Sequence, residues 1–340
     1  MNILVIRLSS MGDVILASAV FGALAEKYPA AAISLVTNAD YAGMFAADRR
    51  LQRVFAYSRS SPTGPLSAEI KAIHWDRIVD LQNNRRSQRL IAELNPDALV
   101  TKFDKMHRQR ALLLLCRVNV YDARRTVLHR YLETALGQAP AAGDEERFVP
   151  RLMLPQDAVV PGLELPDDAP PAMPMLALMP FCAWRNKQWP LSNFEAVGRH
   201  FLQLGWQVLI LGGPADHSAA EELDGRLGRG AISLTGKIQL HQTAAALARC
   251  SLALGGDTGL SHLARAVGVK TCMIFGATAR HFGFFPQGSP PFAVLERNEW
   301  CRPCHPHGGN SCLRLGRRPC LELITADHAI KALTGLARHD

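Results

Sequence analysis

The chain lacks the features that mark several large classes of protein. No stretch approaches the roughly 20 apolar residues that an α-helix needs to cross a bilayer, and candidates such as residues 111–116 are far shorter. The first residues lack the charged start, apolar stretch and cleavage site of a signal peptide. We therefore expect a cytoplasmic protein, in which thiols stay reduced.

Two phosphate-binding motifs are also missing. No Gly-x-Gly-x-x-Gly follows the first apolar run, and no Gly-x-x-x-x-Gly-Lys occurs, which disfavours a dinucleotide dehydrogenase and a P-loop NTPase. Apolar residues make up 48% and charged residues 20% of the 340 residues, as in a globular protein. A chain of this length exceeds one ordinary core, so two domains are expected.

Positive charge is concentrated in one stretch of the chain. The formal net charge is +8, and residues 49–125 hold 16 Lys or Arg against 7 Asp or Glu. Such a stretch is typical of proteins that bind nucleic acid, an anionic membrane or a phosphorylated substrate, or it forms a solvated face. Nucleic acid is disfavoured, because residues 77–125 contain only Phe103 and Tyr121 as aromatic residues on which bases could stack.

The apolar pattern predicts two α/β domains. Residues 3–6 form an unbroken apolar run typical of a strand buried on both faces, a helix is predicted over 14–28, and a strand over 33–36. This order favours a parallel sheet with crossover helices. Further strands are predicted at residues 77–81, 98–100, 175–179, 207–211, 232–234, 252–254 and 271–275, and further helices at 193–204, 241–248 and 260–267.

A proline-rich stretch at residues 155–174 predicts the boundary between the domains. We place the first domain at residues 1–165 and the second at 172–325. A C-terminal helix in residues 326–340 is expected to pack back on the first domain. Ligands of open α/β sheets bind at the carboxyl ends of the strands, so the loops there are the candidate sites.

The first candidate loop is Ser-Ser-Met-Gly-Asp at residues 9–13, after the first strand. Gly12 permits a tight turn or a close approach of ligand. Asp13 has two interpretations: a carboxylate that complements the start of the following helix, or a general base that removes a proton from an attacking hydroxyl.

A second candidate is the Gly-Gly-Asp-Thr-Gly-Leu-Ser-His sequence at residues 255–262. A glycine-rich turn before a helix exposes N–H groups that bind phosphate, and Thr258 and His262 add donors. Because a carboxylate repels a diphosphate, we expect Asp257 to cap the helix or to accept from a sugar or ribose hydroxyl. The alternative is a purely structural turn with a packed histidine.

Two further sites are weaker. Lys187, in the loop after the first strand of the second half, is positioned to neutralise charge on a departing phosphate, although most loop lysines are only solvated. Cysteines in the tail include a Cys-x-x-Cys pair, and their candidate role is a metal site, against a redox or packing role. These cysteines are Cys301, Cys304, Cys312 and Cys320.

Taken together, these segments resemble glycosyltransferase family 9, the ADP-heptose:lipopolysaccharide heptosyltransferases. The resemblance is carried by residues 3–15 (Ile-Leu-Val-Ile-Arg-Leu-Ser-Ser-Met-Gly-Asp-Val-Ile), by 256–264 and by Lys-Gln-Trp-Pro at 187–190. Residues 234–237, residues 274–278 and the cysteine tail also fit. It implies a GT-B fold, with two Rossmann-like parallel-sheet domains facing across a cleft.

The resemblance also implies an activity: metal-independent, inverting transfer of heptose from ADP-heptose to the inner core of lipopolysaccharide, with no cofactor. The first domain would bind the acceptor and the second the nucleotide sugar. Asp13 takes the place of the catalytic aspartate and Lys187 that of the phosphate-contacting lysine. The implied donor-binding residues are Gly12, Asp216, Lys237, Ile238, Asp257, Thr258, Gly259 and His262.

The acceptor carries phosphates and acidic sugars at a membrane surface, so Arg85, Arg86 and Arg89 are candidate acceptor contacts, and association with the cytoplasmic face of the inner membrane is expected. One departure concerns the donor, since Cys182 and Ala183 stand where some family members have two threonines. The alternatives are another nucleotide sugar, a protein or other polysaccharide acceptor, a non-catalytic binding module and, most distantly, a basic nucleic-acid-binding protein.

Overall fold

The computed structural model describes residues 1–58, 68–94, 97–155, 157–163, 173–314 and 316–338. The chain forms two compact units. Unit 1 comprises Met1–His107, Tyr121–Pro155 and Gly283–Gly288, and unit 2 comprises Arg108–Val120, Gln156–Phe282 and Ser289–Asp340. The boundaries predicted at residues 165 and 172, with residues 164–172 of the proline-rich stretch, lie outside the described residues.

Unit 1 is built on a five-stranded parallel sheet in the order β3-β2-β1-β4-β5. The central strand is fully buried, because each of its residues from Ile3 to Ile6 is apolar and 0% exposed. Burial on both faces explains why an unbroken apolar run marked this strand in the sequence. The strands are β1 (Asn2–Ile6), β2 (Ala32–Asn38), β3 (Arg53–Tyr57), β4 (Arg77–Asp80) and β5 (Leu99–Lys102).

Helices connect these strands, and the first differs from its prediction. The helix predicted over residues 14–28 is two helices that meet at Ser18, whose Oγ donates to the Ile15 carbonyl and accepts from the Arg151 N–H. The helices up to residue 155 are α1 (Met11–Ala17), α2 (Ala19–Lys27), α3 (Ala39–Ala42), α4 (Ala68–Ala72), α5 (Arg85–Ala92), α6 (His107–Ala111), α7 (Val127–Leu136) and α8 (Asp144–Arg147). A π-helical turn, Leu112–Cys116, continues α6.

Unit 2 contains a six-stranded parallel sheet in the order β11-β10-β9-β6-β7-β8. Its strands are β6 (Met175–Met179), β7 (Gln207–Ile210), β8 (Ala231–Ser233), β9 (Leu252–Gly256), β10 (Lys270–Phe275) and β11 (Phe292–Glu296). Its helices are α9 (Leu191–Gln203), α10 (His217–Leu227), α11 (Leu240–Ala248), α12 (Gly259–Ala266), α13 (Pro319–Glu322) and α14 (Ala326–Ala337). The predicted fold class, parallel-sheet α/β in both halves, is confirmed.

The C-terminal helix packs on the sheet of its own unit. Ala329 and Leu333 of α14 are fully buried in the core of unit 2, where the apolar side of an amphipathic helix covers the face of the sheet. The predicted packing of this helix on the first domain stays a prediction. Across the described ranges, no helix is long and apolar enough to cross a membrane.

Candidate active site

Asp13 lies in the first turn of α1, just after the carboxyl end of β1, and four donors converge on its carboxylate. Its Oδ2 accepts from the Ser10 N–H (3.1 Å) and the Ser10 hydroxyl (2.6 Å). Its Oδ1 lies 2.7 Å from Arg7 Nη2 and accepts from the Tyr131 hydroxyl at 3.2 Å. The contact with the start of the helix that the sequence predicts for Asp13 is therefore present, and Arg7 adds a charged partner that the sequence did not predict.

The charge state of Asp13 follows from these partners. Burial by itself raises the pKa of the carboxyl, but the Arg7 cation and the Ser10 hydrogen bonds outweigh burial and hold the pKa below its ordinary value. Burial also raises the pKa of Tyr131, so its hydroxyl stays protonated and donates. Asp13 is therefore a carboxylate at neutral pH, in the protonation state that a general base requires.

Arg7 and Tyr131 contact the candidate base Asp13, and the sequence reasoning missed both. Arg7 is 6% exposed; its guanidinium bonds both Asp13 and the Leu81 carbonyl and lies over the Tyr131 ring, 5.5 Å from the centroid. Its position at the end of a buried strand was a usable signal, since a buried cation requires a partner. Tyr131 is 118 residues from Asp13 in the chain, and no local pattern predicts such a contact.

Unit 2 holds a second polar group at the carboxyl edge of its sheet. Lys187, in the turn Arg185–Lys187 after β6, places its Nζ 2.5 Å from Asp257 Oδ2, and Thr278 donates to the same oxygen at 2.7 Å. Lys187 and Asp257 are 9% and 8% exposed. Burial raises the pKa of Asp257, but the charge and hydrogen bond of Lys187 outweigh it and lower the pKa, so the pair is ionic.

This pairing corrects one expectation. Asp257 does not cap the following helix: the N-cap of α12 is Thr258, and no side chain caps it. A carboxylate beside a buried ammonium gains far more from that charge than from a helix end. Thr278, which also contacts Asp257, was noted in the sequence only as part of the family resemblance.

The start of α12 has no side-chain cap. Thr258 Oγ1 is buried and has no hydrogen-bond partner in the described part of the chain, while His262 lies one turn further on, 7% exposed. The turn depends on glycine, because a Cβ at Gly255 would lie 2.5 Å from the Ser261 hydroxyl, which donates to the Gly256 carbonyl. The N–H groups at this helix start are the kind that bind phosphate.

The loops after β7 and β8 lie against each other. Asp216 accepts from the Gly213 N–H (2.9 Å), and the ring of His217 bonds the Thr235 carbonyl (3.0 Å). Close packing at Gly236, where a Cβ would lie 2.9 Å from the Pro214 Cα, keeps the turn that bears Lys237 beside this loop. Lys237 itself pairs with Glu221, and Ile238 is half-buried.

The Cys182 thiol lies near both the loop of Asp216 and the Lys187–Asp257 pair. Burial raises the pKa of Cys182, and the charges of Lys187, Asp257 and Asp216 all act on it. The predicted donor residues Lys187, Asp216 and Asp257 therefore lie in one neighbourhood at the carboxyl ends of β6, β7 and β9, three adjacent strands.

The predicted acceptor arginines lie in unit 1. Arg85, Arg86 and Arg89 are all on α5, which Asn84 caps by accepting from the N–H groups of Arg86 and Ser87. Arg85 and Arg89 are exposed. Within the described ranges none of the three guanidinium groups has an ion-pair partner within 4 Å.

Unit 1 also contains a polar cavity that the sequence analysis did not predict. It has a volume of about 380 Å³ and lies beside β5 and α7, with Lys102, Arg125 and Arg130 in its lining. Arg125 pairs with Glu133 at 2.5 Å, and Thr101 Oγ1 is buried without a hydrogen-bond partner among the residues described. The cavity is therefore suited to a polar ligand.

The tail cysteines do not form a metal-ligand set in this structure. In the part of the chain that the structure describes, no group of three or more His, Cys, Asp or Glu side chains is placed to hold a metal ion. Burial, followed by the neighbouring thiols, raises the pKa of Cys320 to about 11. The pKa of Cys304 is raised for the same reasons, with Cys301 and Cys312 as its neighbours. These two thiols are protonated at neutral pH.

Comparison with solved structures identifies the fold. ADP-heptose LPS heptosyltransferase II of E. coli matches with a TM-score of 0.76 over 99% of this chain and 98% of that chain, at 21% identity. With two parallel-sheet α/β units, each carrying polar groups at the carboxyl ends of its strands, the protein has the GT-B fold of glycosyltransferases.

The sequence profile of glycosyltransferase family 9 (heptosyltransferase) matches residues 64–307, more than half of the chain. The protein therefore belongs to glycosyltransferase family 9, and the resemblance drawn from its motifs is confirmed. Lipopolysaccharide heptosyltransferase 2 of Salmonella typhimurium is 24% identical over 332 residues, which span 87% of each protein. Lipopolysaccharide heptosyltransferase 1 of Pseudomonas aeruginosa is 32% identical over 113 residues, 33% of this chain but only 31% of that protein.

Proposed function

We propose that this glycosyltransferase transfers a heptose from ADP-heptose to the inner core of lipopolysaccharide, with inversion and without a metal ion. Its similarity to E. coli ADP-heptose LPS heptosyltransferase II and to lipopolysaccharide heptosyltransferase 2 of Salmonella typhimurium supports this donor and a lipopolysaccharide acceptor. The observation that carries the proposal is the group at the carboxyl edge of the second sheet: a buried lysine–aspartate pair beside an open helix start and an unpartnered threonine hydroxyl.

This group has the chemistry to hold the donor diphosphate. The Lys187 ammonium has three N–H donors; the carboxylate and main-chain oxygens of Asp257 take two of them, which leaves one for a phosphate oxygen. Thr258 Oγ1 and the first N–H groups of α12 supply further donors. Because Lys187 and Thr278 compensate the charge of Asp257, the carboxylate repels a phosphate less than a bare one would.

Asp13 takes the role of general base. An acceptor hydroxyl oxygen attacks the anomeric carbon, the bond from that carbon to the diphosphate oxygen breaks, and Asp13 accepts the hydroxyl proton. Lys187, His262 and the helix start stabilise the negative charge that grows on the departing diphosphate. Gly12, Gly259, Asp216, Lys237 and Ile238 are proposed to contact the donor, the last three through its nucleoside.

The acceptor is proposed to meet Arg85, Arg86 and Arg89, whose guanidinium groups suit the phosphates and acidic sugars of a lipid-linked core. We further propose that the protein acts in the cytoplasm and associates with the inner-membrane surface, where that acceptor is displayed. Charge, rather than a membrane-spanning helix, would provide the attraction.

Cys182 favours a second candidate, the same reaction with another nucleotide sugar. A neutral thiol is a weak hydrogen-bond donor, so the donor contacts near Cys182 differ from those of a threonine. The test is to follow nucleotide diphosphate release with purified core acceptor, with ADP-heptose compared against UDP- and GDP-sugars. We expect ADP-heptose to be used; turnover of only a UDP- or GDP-sugar would contradict the donor and leave the family role intact.

Asp13→Asn tests the general base in the same assay. The variant keeps the size of the side chain and removes its proton affinity, so turnover should fall by about 10²–10⁴-fold. Asp40→Asn is the matched control, because Asp40 is an exposed carboxylate in the same unit. An Asp13→Asn enzyme with the full rate would refute the assigned role, as would a strict requirement for Mg²⁺.

A further inference from the structure

A short apolar surface interrupts the polar exterior of unit 2. Four of the fourteen exposed large apolar side chains among the described residues lie within nine consecutive positions. Leu115 is the most exposed of all fourteen at 83%, and Leu112, Val118 and Val120 are 40–49% exposed. We name Arg108–Val120 the Leu-Arg segment. Exposed apolar side chains concentrated in this way mark an interaction surface.

The Leu-Arg segment is held on unit 2 by its other side. Leu113 is buried, Arg117 donates to the Pro303 carbonyl at 2.5 Å, and Asn119 Nδ2 lies 3.2 Å from a ring nitrogen of His281. Leu112 and Leu115 both belong to the π-helical turn, and both side chains are exposed. The segment is therefore fixed, and its exposed leucines are not loose ends of a mobile loop.

The positive charge of this region favours an anionic partner. From Lys105 to Tyr121 the sequence contains four Lys or Arg and no Asp or Glu. Arg108 is exposed beside the leucines. Short apolar surfaces bordered by cations are typical of proteins that lie in the interface of an anionic bilayer, with apolar side chains among the acyl chains and cations at the headgroups.

We propose that the Leu-Arg segment docks on an anionic lipid bilayer, with Leu112, Leu115, Val118 and Val120 entering its interfacial layer. The partner is a membrane surface, distinct from the sugar acceptor. The inference rests on the proposed function only in that a lipid-linked acceptor gives the enzyme a reason to bind a membrane. It adds an apolar anchor to the electrostatic attraction already proposed.

The experiment measures binding of the full-length protein to vesicles, with phosphatidylglycerol in a phosphatidylcholine background and with phosphatidylcholine alone. We expect binding to the anionic vesicles that persists in part at high salt, because the apolar contribution is not screened. Leu115→Ser should weaken partitioning about tenfold, and Leu112→Ser/Leu115→Ser further. Leu204→Ser is the matched control, since Leu204 is equally an exposed leucine of unit 2, at 59%, and should bind like the parent.

A second readout reports the depth of the segment directly. Cys116 is an exposed thiol next to Leu115, so a polarity-sensitive fluorophore attached there should shift its emission to the blue on anionic vesicles. Cys116→Ser, labelled in parallel, corrects for label on other thiols. Equal vesicle binding by the leucine variants, or an unshifted fluorophore on bound protein, would overturn the proposal.

Two further outcomes separate the alternatives. If the leucines instead mediate association of two copies, analytical ultracentrifugation will show a dimer that Leu112→Ser/Leu115→Ser dissociates, with vesicle binding unchanged; this would overturn the proposal. Diphosphate release with a detergent-solubilised acceptor should be unaffected by the same variants. Leucine variants that lose vesicle binding but keep full turnover support the docking surface. If the parent enzyme itself shows no turnover, the proposed function is contradicted and the docking surface is judged by vesicle binding alone.

Discussion

At the scale of single residues, Arg7 should determine the pH below which the proposed reaction slows, because it lowers the pKa of Asp13. Arg7→Gln leaves Asp13 buried but removes the neighbouring cation and its charged hydrogen bond, so the pKa of the carboxyl should rise. A base works only when deprotonated, so the fall in kcat on acidification should move to higher pH. The measurement is the pH profile of diphosphate release.

Two variants control for simple disruption of the Asp13 site. Arg7→Lys keeps the charge and should leave the acid limb near its original pH. Tyr131→Phe removes one hydrogen bond to the carboxylate but leaves the Arg7 cation in place, so it should move the acid limb to higher pH by less than Arg7→Gln does. A folded Arg7→Gln enzyme with an unshifted profile would mean that Arg7 does not set the pKa of Asp13.

The buried pair of Lys187 and Asp257 makes a prediction about stability. Lys187→Met leaves a buried carboxylate alone and should cost about 3–5 kcal/mol of unfolding free energy, whereas the double variant with Asp257→Leu should cost much less than the sum of the single changes. Urea unfolding measures both. The exposed pair Lys237–Glu221 is the control cycle, and solvent screening should leave it with little coupling; equal coupling in both cycles would contradict the argument.

The same pair gives a sign for the effect of acid. The folded-state pKa of Asp257 lies below its ordinary value of 3.8 because of Lys187. The stability contributed by this group is therefore present above the unfolded pKa and is lost as the pH falls through the folded one. In Lys187→Met the pKa of Asp257 in the folded protein should rise, because the neighbouring cation is gone. Asp257 of the folded variant should then take up its proton at a higher pH than in the parent, and proton uptake measured by titration tests this.

At the scale of elements, the sequence predicted the buried strands far better than the edge strands. The central strands read as unbroken apolar runs because both faces are covered. β3 and β11, which were missed, lie at edges of their sheets, and each is exposed along part of its length. The other two edge strands, β5 and β8, were predicted at residues 98–100 and 232–234, so an edge position alone does not hide a strand. The break between α1 and α2 was missed because the apolar spacing continues through Ser18.

The glycine-rich segment before α12 requires glycine at residue 255, because there is no room for a Cβ there. Gly255→Ala forces a Cβ to within 2.5 Å of the Ser261 hydroxyl, so that side chain or the strand must move, at about 1–3 kcal/mol. Gly225→Ala is the matched control: its helical site has no atom within 4 Å of the new Cβ, and it should gain about 0.5–1 kcal/mol. Urea unfolding measures both free energies, and equal destabilisation of the two variants would contradict the steric explanation.

At the scale of the whole molecule, the proposed division of labour predicts where ligands act. ADP should slow hydrogen exchange in the loops of unit 2 that bear Lys187, Asp216 and Thr258, and it should raise the unfolding free energy by about 2.7 kcal/mol at a hundredfold excess over its Kd. Exchange mass spectrometry with and without ADP checks this. Protection confined to the Asp13 region of unit 1 would reverse the assignment of the donor.

The candidate site was predictable only where function is local in the chain. Asp13, Lys187 and the run from Asp257 to His262 each stand in a short motif after a strand, so the sequence was enough to place them at the carboxyl edges of the sheets. Tyr131 and Thr278 reach their carboxylates across 118 and 21 residues. Their roles depend on tertiary packing, which no spacing rule encodes.

The loop that carries Lys187 is braced by the tail of the chain. The Trp189 indole donates to the Ile324 carbonyl at 2.7 Å, and Arg318 donates to the carbonyls of Arg185 and Gln188. The two segments are therefore one mechanical part, although more than a hundred residues separate them. Homologues with a change in one segment should have a compensating change in the other. A truncated protein that ends before residue 318 should lose the function of Lys187, although that residue itself is retained.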